Sequence, residues 1–138
     1  MKPEDDDLSW PEDLDAFARS WMAELRTGSE PRLGDFGDKV VTMNFLAPPE
    51  TQWRFLLAAV AAAEAEDELI AIAAGPFEHL LGFHGEAYIE AVEARSQADP
   101  KFAHMTLGSW RHRMSDEVWA RVQAIQASAA GKRSVPSS

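Results

Sequence analysis

Ala73-Ala74-Gly75-Pro76-Phe77-Glu78-His79-Leu80-Leu81-Gly82-Phe83-His84-Gly85 sets turn residues, ionisable groups and apolar anchors at close spacing. Gly75 is expected to close one helix, because glycine tolerates the left-handed backbone of a helix end. Pro76 is expected to open the next, since a first-turn residue needs no amide partner. Glu78 then falls in that first turn, where a carboxylate complements the helix dipole. His84-Gly85 reads as the following stop. Punctuation this dense implies short helices joined by tight turns. The expected fold is all-α, a compact irregular bundle or a small α-solenoid-like stack of six or seven helices.

Working toward the N-terminus, Asp67 starts a short helix with Leu69, Ile70, Ile72 and Ala73 inward. Before it, Pro49 and Glu50 open a helix to about Ala65, whose buried stripe is Trp53, Leu56, Leu57 and Val60. A first helix begins near Ser9 or Pro11, with Ser9 and Glu12 at capping-box spacing. Its apolar face is Leu14, Phe17, Ala18, Trp21, Met22 and Leu25, and it ends by Thr27-Gly28. Residues 28–48 carry Gly28, Pro31, Gly34, Gly37 and Pro48 and read as an irregular loop. Val40 to Phe45 is expected to be a short strand or extended crossing segment.

Toward the C-terminus, a helix runs from Gly85 to Ala98. Asp99-Pro100 caps and opens another that holds Phe102, Met105 and Leu107. Ser115 caps a last helix with Val118, Trp119, Val122 and Ile125 inward. The expected organisation is an acidic disordered segment at 1–9, one helical domain at 10–130 and a disordered tail at 131–138.

The central stretch resembles the core element G-P-x-E-x-L-L-x-x-H-G of an uncharacterised bacterial helical domain family of unknown function. Gly75, Pro76, Glu78, Leu81, His84 and Gly85 are the matching positions, and His79 falls on a variable one. The resemblance is best over residues 50–126. It implies a helical fold and brings no activity with it.

A chain of 138 residues fits one domain and is long enough to bury a real core. Its net charge of −10 is unevenly spread. Residues 1–16 hold seven acids and one base, residues 17–100 fourteen and six, and residues 101–138 two and six. Such a body repels nucleic acid and anionic membrane, and attracts a basic protein. Having no cysteine, the chain offers no disulfide, thiolate metal site or thiol chemistry, which suits a reducing cytoplasm. The N-terminus has no apolar signal region, and the run from Phe55 to Ala63 is too short to span a bilayer. The expected location is cytoplasmic.

Two clusters could carry chemistry. Glu78, His79 and His84 offer a carboxylate and two imidazoles for acid–base work or metal binding. Against this, His79 and His84 are five residues apart and do not share a helix face. Glu78 equally serves as a helix-start cap or ion-pair partner, and His84 as a helix-end group bonded to carbonyls. The second cluster, Trp110-Arg111-His112-Arg113 with Arg121, resembles a phosphate or base contact. In so acidic a chain it reads better as a loop whose arginines pair with the body. No phosphate-cradling loop, dinucleotide fingerprint or nucleophile elbow is present.

The expected function is therefore non-enzymatic protein binding, as a small acidic inhibitor of the immunity or antitoxin kind, without a cofactor or metal. The partner is a basic protein, met through Asp5, Asp6, Asp7, Glu64, Glu66, Asp67 and Glu68. The alternatives are a scaffolding subunit of a larger assembly, or a metal-dependent hydrolase using Glu78 and His84.

Overall fold

The computed structural model describes residues 10–27 and 34–134. Among these the chain is all-α, with seven α-helices and one π-helical turn, and no strand. The helices are α1 (Leu14–Thr27), α2 (Asp35–Leu46), α3 (Pro49–Ala62), α4 (Glu66–Ile72), α5 (Glu78–Ala98), α6 (Pro100–Thr106) and α7 (Asp116–Ser134), with the π turn at Ala73–Phe77 between α4 and α5.

The apolar stripe of α1 goes where its spacing places it. Ala18, Trp21 and Met22 are buried, and Leu14, Phe17 and Leu25 pack against the core. Its cap is Asp13, whose Oδ1 accepts from Ala16 N at 2.9 Å. The helix thus starts later than the Ser9–Pro11 expectation, and Ser9 lies outside the described residues, as do Asp5, Asp6 and Asp7.

The expected strand at Val40 to Phe45 is instead the middle of helix α2. Val40 and Met43, one turn apart, are buried in the core, and that burial outweighs the β preference of Val40-Val41-Thr42. Gly34, at the N-cap, has no side chain to satisfy the first amides. Glu24 of α1 supplies the cap from across the packing interface, accepting from Phe36 N at 3.1 Å and Gly37 N at 2.8 Å. A Cβ on Gly34 would stand 2.1 Å from that carboxylate.

Pro49 opens α3, as its fixed φ favours, and the helix closes at Ala62 rather than Ala65. Leu56 and Val60 are buried, joined by Phe55, while Trp53 and Leu57 are partly buried. α1 packs along α3, and α7 packs on α5 and α6. Phe55 meets Phe17 and Trp21 on one side of the core, and Phe102 meets Phe77 and Trp53 on the other.

Gly75-Pro76 does not separate two helices. The chain runs from α4 through the π turn into α5, and Gly75 does not take the left-handed conformation. Proline inside a helix lacks one amide donor and crowds the carbonyl one turn back. The wider π turn accommodates both defects. Continuity is favoured because Ile72, Ala73, Phe77 and Leu80 are all fully buried across the junction. The expected stop at His84-Gly85 appears as a kink, with His84 at φ −135° and ψ 27° inside α5.

Asp99 caps α6 as expected, accepting from Lys101 N at 3.0 Å and Phe102 N at 3.3 Å. Ser115 caps α7, its Oγ accepting from Val118 N at 3.1 Å. The backbone of α7 is helical to Ser134, past the expected end at Ala130.

Candidate functional site

The π turn lies where α2, α3 and α6 converge, and it sets the direction of the two residues that follow it. Glu78 points inward and is buried. Its Oε2 accepts from the backbone N of Trp110 at 2.7 Å, so it fastens the loop between α6 and α7 and caps no helix. Burial pushes the Glu78 carboxyl above the usual carboxylate range, against the opposing pull of the Trp110 amide, His112 and His79. His79 sits beside it, its Nδ1 2.8 Å from Gly75 O.

Around His79 lies a continuous ring contact. Its imidazole is 4.8 Å from the Phe45 ring and 5.0 Å from that of His112, centroid to centroid. Phe83 is 6.0 Å from Phe45, and the Arg113 guanidinium stands 5.5 Å over Phe83. The outer surface of this cluster faces solvent: Phe45 is 55% exposed and Phe83 43%. On the adjoining loop Trp110 is 77% exposed. Val41 and Leu46 of α2 are exposed as well.

The loop that presents Trp110, His112 and Arg113 is held firmly. A Cβ on Gly82 would lie 2.4 Å from His112 O, so only glycine lets the loop backbone rest on α5. Gln126 donates to Thr106 O and Ser109 O, and Arg111 reaches Met114 O and Asp116. Arg113 has φ 63°, a left-handed conformation that a non-glycine side chain adopts at a cost. As expected, Arg111 and Arg121 are paired with acids, Arg121 bidentately with Glu93.

The expected site residues divide. Glu64, Glu66 and Asp67 are exposed at the start of α4, with Glu66 beside His104 at 2.7 Å. Glu68 is buried, and its carboxylate takes Arg26 Nε at 2.7 Å, Arg26 Nη2 at 3.1 Å and Glu64 N at 2.7 Å. The Arg26 bonds hold the Glu68 carboxyl below its usual range. Glu68 is thus a joint between α1 and α4 and not part of a docking surface. Pro76 and Leu81 are core, and Gly85 abuts Val118. His84 lines a surface hollow of ≈ 390 Å³ with Phe83, Glu86, Arg113 and Ser115.

Glu78 and His84 are not brought together. They are six residues apart, about 9 Å along the axis, and the imidazoles acting on Glu78 are His79 and His112. Among the described residues no group of three or more His, Cys, Asp or Glu is arranged to hold a metal ion. No helix among them is long and apolar enough to cross a membrane.

The sequence alone puts His79 on a variable position and Trp110 to Arg113 on a loop apart from it. The one signal available was the shared presence of aromatic and basic residues in two segments some thirty residues apart. Their convergence depends on Gly82 and on the inward turn of Glu78.

The model of a family of unknown function, DUF6869, matches residues 28–130. The chain belongs to that family. DUF6869 thus covers every element from α2 through most of α7, including the whole aromatic cluster. No curated protein and no solved structure matches the chain.

Proposed function

We propose that this member of DUF6869 is a protein-binding module that docks through the exposed aromatic face of Phe45, Phe83 and Trp110. The observation that carries the reading is the exposed pair Phe45 and Phe83, in ring contact with each other and with His79, beside a loop that exposes Trp110. Exposed apolar groups rimmed by polar ones mark interaction surfaces, and Trp, Phe and Arg supply most anchors at such surfaces.

The partner is a protein of net positive charge. The chain carries −10, the exposed Glu66 and Asp67 lie one turn before the exposed Ile70 on α4, and the exposed Glu64 just precedes the helix. Ile70 abuts Gly108, and two residues further on the same loop presents Trp110. An acidic rim therefore leads to the apolar face. Charge of that sign accelerates encounter with a basic partner, and the aromatic anchors then hold it. An acidic inhibitor of the immunity or antitoxin kind is the form this takes, and a basic enzyme or toxin is the partner.

The test is to recover the tagged protein from its own cells, as wild type and as Phe83→Ser with Trp110→Ser. A basic protein bound to the wild type in stoichiometric amount and missing from the folded double variant supports the reading. Equal recovery with both overturns it.

A further inference from the structure

A second hollow, of ≈ 340 Å³, lies where α5, α6 and α7 pack on one another. Its wall takes Ser96 from α5, Ala103 from α6, and Ala124, Ile125 and Ala129 from α7, and the Glu93–Arg121 pair borders it. Small side chains ordinarily let helices approach closely. Here two polar links fix the position of α7 instead. Arg121 grips Glu93 of α5 with two N–H groups, Nε at 2.8 Å. Gln126 donates to Thr106 O at 2.9 Å and Ser109 O at 3.2 Å, at the end of α6. The space is thus built into the packing of the three helices.

Ser96 gives the hollow its one buried polar group. It is 8% exposed, and its Oγ is shut off from solvent with no hydrogen-bond partner among the described residues. A serine inside a helix ordinarily returns its hydroxyl to a carbonyl one turn back, and buried hydroxyls are nearly always bonded. Leaving one unbonded costs free energy that an occupant able to bond it recovers. Water suits the place poorly. An ordered water needs several polar partners, and beside Ser96 the inner wall is Ala103, Ile125 and Ala129. Gln97 and Ser128, the other uncharged polar residues of the wall, are exposed.

We propose that the hollow between α5, α6 and α7 binds a small neutral molecule with an apolar body and one hydroxyl, the body against Ala103, Ile125 and Ala129 and the hydroxyl bonded to Ser96 Oγ. Seating it turns the Ser96 hydroxyl toward the occupant, a change between staggered positions of χ1. An alcohol both donates and accepts, so it pairs with serine in either direction. Its body restores the contacts that an empty hollow forfeits. A charged head would find no counter-ion to spare, since Arg121 is held by Glu93 and flanked by Glu117 at 3.6 Å. The volume falls at the lower end of small-molecule sites. None of Phe45, Phe83 and Trp110 lines this hollow, so the site stands apart from the docking face.

The experiment titrates the full chain with benzyl alcohol and, separately, with toluene, which keeps the ring and lacks the hydroxyl. It follows the methyl groups of Ala103, Ile125 and Ala129 by NMR. The chains are wild type, Ser96→Ala and Ala124→Phe, the last setting a ring at an exposed part of the wall. The expected result is saturable shifts at these methyls in wild type, with both probes weakened in Ala124→Phe. In Ser96→Ala the affinity for benzyl alcohol relative to toluene should fall about threefold to tenfold, the worth of one neutral hydrogen bond. Shifts that do not saturate, or that arise away from the hollow, overturn the site. A ratio unchanged in Ser96→Ala overturns the hydroxyl-bearing ligand, and tighter binding of benzoate or benzylammonium than of benzyl alcohol overturns the neutral one. If Ser96→Ala fails to fold, wild type and Ala124→Phe decide, and equal binding by both overturns the proposal. No protein partner enters this measurement, so its failure leaves the docking reading to its own test.

Discussion

Glu68 and Glu78, ten residues apart in one run of helix, respond to protons in opposite ways. Glu68 has a guanidinium at 2.7 Å and a backbone amide, so its charge is welcome and its carboxyl is held low. Its contribution to stability is present above the ordinary carboxylate range and is lost as pH falls through its lowered folded value. Glu78 has burial and one amide, so its charge is unwelcome and its carboxyl is held high. Its contribution is full below the ordinary range and is lost as pH rises through the raised folded value. Two outcomes follow for chemical denaturation across pH. Glu68→Gln should be less stable at neutral pH by about 1 kcal/mol, discounted for the exposed side of Arg26, and lose that deficit in acid. Glu78→Gln should be at least as stable as wild type at neutral pH. At Gly82 the limit is steric: Gly82→Ala forces the His112 carbonyl away and should cost about 1–3 kcal/mol, read as a lower midpoint of thermal unfolding.

The elements show which helix signals act locally and which act across the molecule. Asp99→Ala removes a cap made within three residues and should cost about 1 kcal/mol in denaturant unfolding. Glu24→Ala removes the two bonds that start α2 and should cost a similar amount, although Glu24 lies on a different helix. That contrast explains what could be read from the chain. The caps of α6 and α7, the proline that opens α3 and the apolar stripe of α1 rest on neighbours within one turn. All four were legible. The start of α2 was not, because its cap comes from α1. Gly75-Pro76 was misread because a local rule for helix ends met a segment in which Ile72, Phe77 and Leu80 are all buried. Most of the candidate site was hidden for a related reason: Phe45, His79 and His112 meet only through packing of three separate segments.

For the whole molecule, the docking we propose gives charge and shape separate parts. The acidic rim at Glu64, Glu66 and Asp67 acts at long range and weakens with salt. The aromatic face acts on contact. Replacing those three acids with Gln should slow association with the proposed basic partner, and its dissociation rate should change little. Replacing Phe83 or Trp110 should do the reverse, raising the dissociation rate and leaving the salt dependence of association intact. Both rates are read by surface-immobilised kinetics once the partner is in hand.

The most direct test of the central claim is site-specific photocrosslinking in the cells the protein comes from. A photoreactive side chain replaces Trp110 in one variant and the exposed Gln123 of α7 in another. The account predicts one discrete adduct, with a basic protein, from position 110 and none from position 123. The same adduct from both positions, or none from position 110, would contradict it.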